Sequence, residues 1–423
     1  MNPFFTLDPK RRRSLLLLFL AGLCFWSSTT SLLPTLPLYI QALGGTNRQV
    51  GLVMGAFAIG LLPSRFAFGP LADAKGRKLV LQIGTTVVML APLGYFFATS
   101  IPTMAGIRAF HGISIAAFTI GYSALVADIA PVDRRGEVIG YMSLVTPIGM
   151  AIGPAFGGFV QAGLGYKVLF LSSATFGLLA GLGISQVWEP TRPKPILDHL
   201  ELTSPTIKVR LNQLFRYLQL IGSPPLRTPA FVMAIVGLIF GTLVTFLPLY
   251  IAASNLELNA GLFYSTAAIA SFSARIFAGR ASDRYGRGIF ITIALVFYLL
   301  SMLLLGTANN NPEILLAAAL EGSGAGILIP TIITLVTDRC SADERGRFFS
   351  LCIGGFDIGI AIAGPIFGWV AEQVGYSNMY LLNAGLALLG LIIFITQSSR
   401  NISDSIKFAL GKGEDIYIFK NPS

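Results

Sequence analysis

The stretch RFAFGPLADAKGRKLVL, Arg65 to Leu81, decides how the rest of the chain reads. An apolar run arrives, Gly69-Pro70 predicts its break, and a short loop with one Asp and three cations follows before the chain turns apolar again. The pattern returns 210 residues later as RIFAGRASDRYGRGIFI, Arg275 to Ile291. Arg65, Gly69, Asp73, Gly76 and Arg77 are matched at that one offset by Arg275, Gly279, Asp283, Gly286 and Arg287. A frame shared at such distance predicts a duplicated unit, with this loop at the same point in each copy.

Both copies sit in a very apolar chain. Of 423 residues 54% are hydrophobic and 12% charged, with a mean hydropathy of +0.71. Soluble chains carry about 25% charged residues, so the polar surface here is too small to cover a water-soluble core, and the class is an all-α polytopic membrane protein. Cys24, Cys340 and Cys352 are too few and too scattered for a disulfide framework or a metal site. Lys10–Arg13 before LLLLFLAGLCFW resembles the start of a secretory signal. Its apolar run is longer than a typical signal core and lacks a convincing cleavage site, so it reads as a retained first span.

A helix needs about 20 mostly apolar residues to cross the hydrocarbon core. By that rule twelve spans are predicted, at 15–40, 48–70, 79–99, 102–127, 137–162 and 165–187, then at 229–252, 260–281, 289–307, 312–337, 347–373 and 377–397. Two six-helix units, 1–188 and 229–397, are thus joined by a polar linker, 189–228, and followed by a tail, 398–423. Within the linker, Ile207–Leu220 has the pattern of an amphipathic surface helix. Alternate loops hold 25 of the 30 Lys and Arg, leaving Arg48 and Lys167 in the opposite loops and Arg65, Arg108 and Arg275 within spans. The positive-inside rule then places both termini in the cytoplasm, with a bacterial inner membrane as the expected location. The net charge of +10 is a topology signal with attraction to anionic lipid as a by-product, and not the footprint of a nucleic-acid binder.

The duplication extends further. LPLYI occurs at Leu36–Ile40 and at Leu247–Ile251. Gly112, Asp128, Arg135 and Gly136 recur as Gly322, Asp338, Arg345 and Gly346, and Gly153-Pro154 recurs as Gly364-Pro365. Six spans per copy give both copies one orientation, the parallel-repeat arrangement of one large transporter class. GPLADAKGRK (69–78) resembles the loop between the second and third spans of the major facilitator superfamily. Arg108-Ala-Phe-His-Gly112 resembles its fourth-span motif, and the run Gly149 to Gly158 resembles the fifth-span motif of drug and metabolite antiporters. The resemblance covers roughly 15–397 and implies two bundles of six helices around a central cavity, moving by alternating access.

For the loops, the resemblance implies a conformational latch: Asp73 meets the start of span 11 across the domain interface, Arg77 pairs with Asp128, and Arg287 pairs with Asp338. A solvated charged loop would explain the cations but not the repeated Gly/Asp/Gly/Arg frame. The second copy has Arg280 where the first has Pro70, which predicts a weaker latch there. In span 5, Gly149, Gly153 and Gly157 form one smooth face for a neighbouring helix. Pro154 removes an amide and is expected to bend that span, and in exporters of the resembled group the bend seals the cavity on the far side.

A charge inside a bilayer costs at least about 2.5–3.5 kcal/mol, so one that persists faces a cavity or a partner. Asp357 and Glu321 each lie near mid-depth and are alternative candidates for the proton carrier; either can instead brace adjacent helices as a neutral carboxyl. Arg108 is implied by the resemblance to take part in proton coupling, with His111 one turn away on the same face. Arg65 and Arg275 lie nearer the basic end of their spans and read as snorkelling or bracing residues. Trp26, Tyr39, Tyr122, Phe240, Tyr250 and Phe356, with Ser27, Thr30 and Tyr264, are candidates to line an aromatic cavity suited to amphipathic compounds. With no phosphate-binding G-x-x-x-x-G-K-[ST] sequence and no catalytic constellation, an ATP-driven pump or an enzyme is not expected. The leading expectation is a monomeric, cofactor-free exporter of a small amphipathic compound, such as a drug-like molecule or a siderophore, driven by the proton gradient. A proton-coupled importer of a sugar or organic acid is the alternative, and a non-transporting membrane sensor is the third reading.

Overall fold

The computed structural model describes residues 8–131, 134–190, 222–254, 256–341 and 344–419, and of Arg280, Gly346 and Arg347 it describes the backbone. Most of the expected linker, including Ile207–Leu220, lies outside these residues. The described chain is helical throughout: α1 (Pro9–Ser31), α2 (Leu36–Ala42), α3 (Asn47–Lys75), α4 (Arg77–Phe97), α5 (Ile101–Ile129), α6 (Arg135–Met142) and α7 (Val145–Ser185) precede the linker. After it come α8 (Pro224–Ala253), α9 (Ala260–Tyr285), α10 (Arg287–Thr307), α11 (Asn311–Asp338), α12 (Arg345–Gln397) and α13 (Ile402–Ala409).

Nine helical stretches among the described residues are long and apolar enough to cross a membrane. Two of them, Arg135–Ser185 and Phe348–Gln397, contain a reversal: Gly165 (φ 81°) interrupts α7 and Gly375 (φ 77°) interrupts α12. The 26-residue α9 is long enough to cross but is diluted by Arg275, Arg280, Asp283 and Arg284. Counting both arms of α7 and α12, the chain makes twelve crossings, six on each side of the linker. Two further reversals, at Gly76 (φ 105°) and Gly286 (φ 92°), leave a single residue between α3 and α4 and between α9 and α10. Only glycine adopts such dihedrals without strain, and both pairs, 76/286 and 165/375, are spaced by the repeat length of 210.

The helix breaks differ in detail from expectation. The first span is two helices, α1 and α2, and the fifth begins with the separate α6. Pro37 cannot donate to Leu33, nor Pro147 to Ser143, and the helix yields at each of those points. The break expected at Gly69-Pro70 does not occur, because α3 continues through both residues to Lys75. A proline costs one backbone bond but its φ suits a helix, and the turn waits for Gly76. At the ends facing away from the basic loops, side chains cap the helices: Thr46 with Gln49 at α3, Ser100 at α5, Asn259 at α9 and Asn310 at α11.

The two six-helix units meet along two seams, α3 against α12 and α7 against α9. On the first, Gly51 and Gly364 each face the other's carbonyl, Gly55 faces Ala361, and Gly368 faces the Asn47–Arg48 backbone. On the second, Gly261 faces the Pro154 carbonyl, Gly158 faces the Asn259 side chain, and the Ser265 hydroxyl donates to the Ala151 carbonyl. Gly51 and Gly261 are repeat counterparts, as are Ala361 and Ala151, so the seams are one interface used twice. All these contacts lie in the half of the molecule away from the basic loops. The cross-unit bonds Arg48–Glu372, Tyr376–Asn47, Ser265–Ala151 and Arg65–Asp357 all stop short of the basic face. The Asp73 and Asp283 side chains there are 72% and 67% exposed. The molecule is therefore open toward its basic face and closed at the opposite one.

Candidate functional site

The two duplicated loops fold into matching charge clusters. Arg77, 9% exposed, has its guanidinium 2.5 Å from Asp73 and 3.5 Å from Asp128, and it also donates to the Ala72 carbonyl. Arg287 stands 3.2 Å from Asp283 and 2.6 Å from Asp338. Each arginine thus binds a carboxylate one turn back on its own helix bundle and another at the end of the fourth span of its unit. Asp73 meets Arg77 within its own unit. Sequence reasoning missed the third member of the first cluster. Glu189, just past α7, accepts from the Arg77 backbone N–H at 2.6 Å, where a helix N-terminus favours an anion.

The glycine face of α7 is spent on α1. Gly149 lies against Trp26, Gly153 against Thr30 Oγ1 and Gly157 against the Ser31 carbonyl. Thr30 ties the contact by donating to the Gly149 carbonyl at 3.0 Å. The α7 backbone keeps helical dihedrals through Pro154, and its non-helical residue is Gly165.

The buried ionisable groups occupy distinct settings. Arg65 Nη2 reaches across from α3 to Asp357 on α12, 3.2 Å away, so this ion pair joins the two units. Its residues differ in exposure, 37% for Arg65 and 9% for Asp357. Arg65 therefore neither snorkels nor braces its own loop. Helical side chains lean toward the helix N-terminus, which carries Arg65 away from the basic face and Asp357 toward it, so the two converge. Arg275, the repeat counterpart of Arg65, has no such partner among the described residues: the position corresponding to Asp357 is Pro147. Arg275 instead lines a cavity of about 370 Å³ between α9 and α11.

Glu321 is buried on α11, and its Oε1 has no hydrogen-bond partner. The adjacent Gly322 presses on the Ala267 carbonyl of α9. Arg108 is 6% exposed, lies 4.4 Å over the Phe57 ring, and leaves its Nε unpaired. His111 is fully buried, with Nδ1 3.3 Å from the Tyr95 hydroxyl and Nε2 unpaired. Both therefore meet the same aromatic, Phe57, as expected for residues on one helix face.

The aromatic candidates divide. Phe240 and Phe356 pair at 5.8 Å beside Asp357, and Trp26 and Tyr122 line a cavity of about 130 Å³ with Thr119, Ser123 and Thr146. Tyr39 and Tyr250 do not line the open side. Tyr39 donates to the Ala98 carbonyl and packs on Tyr166 and Phe170; Tyr250 donates to the Leu305 carbonyl beside Tyr380. They are repeat counterparts doing one packing task at the closed end, where each hydroxyl satisfies a helix-terminal carbonyl. Tyr264 and Thr30 are likewise committed, to the carbonyls of Leu243 and of Gly149 and Trp26.

A sequence profile described as Major Facilitator Superfamily matches residues 18–280 and 256–412. The chain is 29% identical over 382 residues to the multi-drug resistance efflux pump PmrA homolog of Lactococcus lactis, covering 85% of this chain and 91% of that one. It is 28% identical over 394 residues to the multidrug resistance protein MdtG of Klebsiella pneumoniae, covering 88% and 90%. Among solved structures, the nucleoside transporter NupG superposes with a TM-score of 0.74 at 15% identity, over 90% of this chain and 98% of that one; a likeness at that identity carries the fold alone. Two six-helix units with parallel repeats, paired seams, duplicated charge clusters and a profile spanning both copies lead to one conclusion: the chain is a multi-pass membrane transporter that belongs to the Major Facilitator Superfamily.

Proposed function

We propose that the protein is a proton-coupled exporter of small amphipathic compounds, with its basic face in the cytoplasm of a bacterial inner-membrane protein. The observation that carries this reading is the placement of Asp357: a carboxylate nearly buried at the head of the open vestibule, contributed by one unit and held by Arg65 of the other. A carboxyl there changes charge when it takes up a proton, and the change falls on a contact between the two moving bodies. Glu321, buried with an unpaired oxygen, is a second place to hold a proton. The efflux pumps among the relatives and the glycine-lined α1–α7 contact favour export. The mixed aromatic and hydroxyl lining around Trp26 and Tyr122 suits amphipathic molecules better than sugars.

Everted vesicles carrying a lumenal pH dye test the proposal. A compound panel is expected to include members that discharge the proton gradient in vesicles with the parent protein. Asp357→Asn is expected to abolish that discharge while compound binding persists. Unchanged discharge in Asp357→Asn overturns the role of Asp357, and acid-driven uptake by whole cells overturns export. Glu321→Gln in the same assay decides whether the second carboxyl is required.

A further inference from the structure

The Arg65–Asp357 ion pair does more than neutralise a buried acid. The outer seam between α3 and α12 is tight at Gly51/Gly364 and Gly55/Ala361, where backbones touch. Going inward from those contacts, ten residues of α3 separate Gly55 from Arg65, whereas four residues of α12 separate Ala361 from Asp357. At 1.5 Å per residue the two helices present these groups at depths that differ by roughly 9 Å. The long arginine arm leans back toward the seam and bridges that difference. We propose that Arg65 is a positioning residue, an ionic tether between the two units that holds the face opposite the basic loops closed, and that loss of charge at Asp357 releases it.

Three features support this assignment. Of the seam contacts at Arg48–Glu372, Asn47–Tyr376, Gly51–Gly364, Gly55–Ala361 and Arg65–Asp357, this pair lies nearest the basic face. From the helices packed against α12, Arg65 is the charged group that faces Asp357. Arg227 and Tyr250 lie toward opposite ends of α8, Arg48 is engaged with Glu372 at the rim, and Glu321 on α11 is set among Tyr264 and Tyr298. The repeat counterpart, Arg275 opposite Pro147, has no carboxylate partner, so among the described residues the tether exists on one seam only. The seam at α7–α9 relies on the Ser265–Ala151 hydrogen bond and the Gly261–Pro154 approach. One charge event can therefore bias a rigid-body motion that breaks both seams, the differential contact a conformational switch requires. The tether's link to transport rests on the proton-exchange reading; its effect on conformation does not.

The test reads conformation and not transport, so failure of the export reading leaves it interpretable. In a background lacking Cys24, Cys340 and Cys352, Ser265→Cys places a thiol on the seam without the tether. Alkylation by a membrane-impermeant maleimide from the side opposite the basic face reports opening of the whole molecule. Arg65→Gln and Asp357→Asn are each expected to speed labelling by about tenfold, the shift expected from losing one charge-assisted contact. Arg65→Lys is expected to label near the parent rate, and the exchanged pair Arg65→Asp/Asp357→Arg to label more slowly than either single neutral variant. Parent-like labelling in both neutral variants overturns the tether. So does an exchanged pair as fast as the single variants while Arg65→Lys remains at the parent rate, because the loss would then follow position and not charge.

Discussion

Arg77 and Arg287 show how a single residue can join three segments. Each guanidinium is held by an aspartate one turn earlier and by another at the end of a neighbouring helix, and the two partners are unequally valuable. Asp73 is 72% exposed and Asp128 is 23% exposed, and exposed pairs contribute about 0–1 kcal/mol. Asp73→Asn is therefore expected to leave thermal stability in detergent almost unchanged. Asp128→Asn, which leaves the nearly buried Arg77 short of a partner, is expected to lower the unfolding temperature measurably; equal shifts in the two variants would contradict this ranking. The pairings Arg77–Asp128 and Arg287–Asp338 were legible because the repeat aligns all four residues. The Arg65–Asp357 pair was not. Its members lie 292 positions apart on different copies, and their repeat counterparts, Arg275 and Pro147, carry no matching pair. Glu189 was visible as an acid but fell into a stretch read as linker, and nothing local marks it as the acceptor for the Arg77 amide.

At the scale of elements, helix positions followed from apolar length, and helix breaks followed from proline and glycine chemistry less directly. Pro37 and Pro147 interrupt their helices whereas Pro70 does not, since each proline is judged against the packing that surrounds it. The segment after α12 was read simply as a tail, yet it is a built element. Its helix α13 lays Phe408 against Gly288 of α10, the Ala409 carbonyl accepts from Thr292 at 2.9 Å, and the Phe419 N–H donates to the Asp338 carbonyl at 2.9 Å. The fastening is Arg339, 1% exposed, bound to Asp415 at 2.7 Å and to the Pro225 and Ser398 carbonyls. Phe408 and Tyr417 stack on its guanidinium. Removing one member of a buried pair costs about 3–5 kcal/mol because the other is left uncompensated. Asp415→Asn is expected to release the tail, seen as faster proteolysis at Lys407 and Lys412, while Glu414→Gln, at the exposed surface, leaves the tail protected. The segment after α7 is used similarly, through Glu189 and through the Ser185 and Val187 carbonyls that receive Lys78. Each unit thus braces its third span with the chain that leaves its sixth.

The whole molecule adds what neither residue nor element contains, namely which way it is open. Duplication, crossing number and family were readable because they rest on covalent order and composition. The open face was not, because it depends on how the two units pack together and leaves no mark in the pattern of either unit. The observed state is packed at the pair of glycine seams, where backbone carbonyls approach to distances that leave no space for a Cβ. A side chain at Gly364 would meet the Gly51 carbonyl, and α3 cannot yield without moving Asn47, whose Oδ1 accepts from Tyr376 at 2.7 Å. Gly69, by contrast, borders open space at the basic face. Gly364→Val is therefore expected to favour the state closed at the basic face. A thiol introduced by Gly69→Cys, readily alkylated from that face in the parent background, is expected to react several-fold more slowly when Gly364→Val is added. Gly385→Val, where a side chain meets nothing, controls for bulk and is expected to leave the rate alone. Equal slowing by the two valines would mean that general disruption, and not seam closure, governs the balance. Slowing by Gly364→Val alone would show that close backbone contact at the seam, beside the Arg65–Asp357 pair, contributes to the control of access.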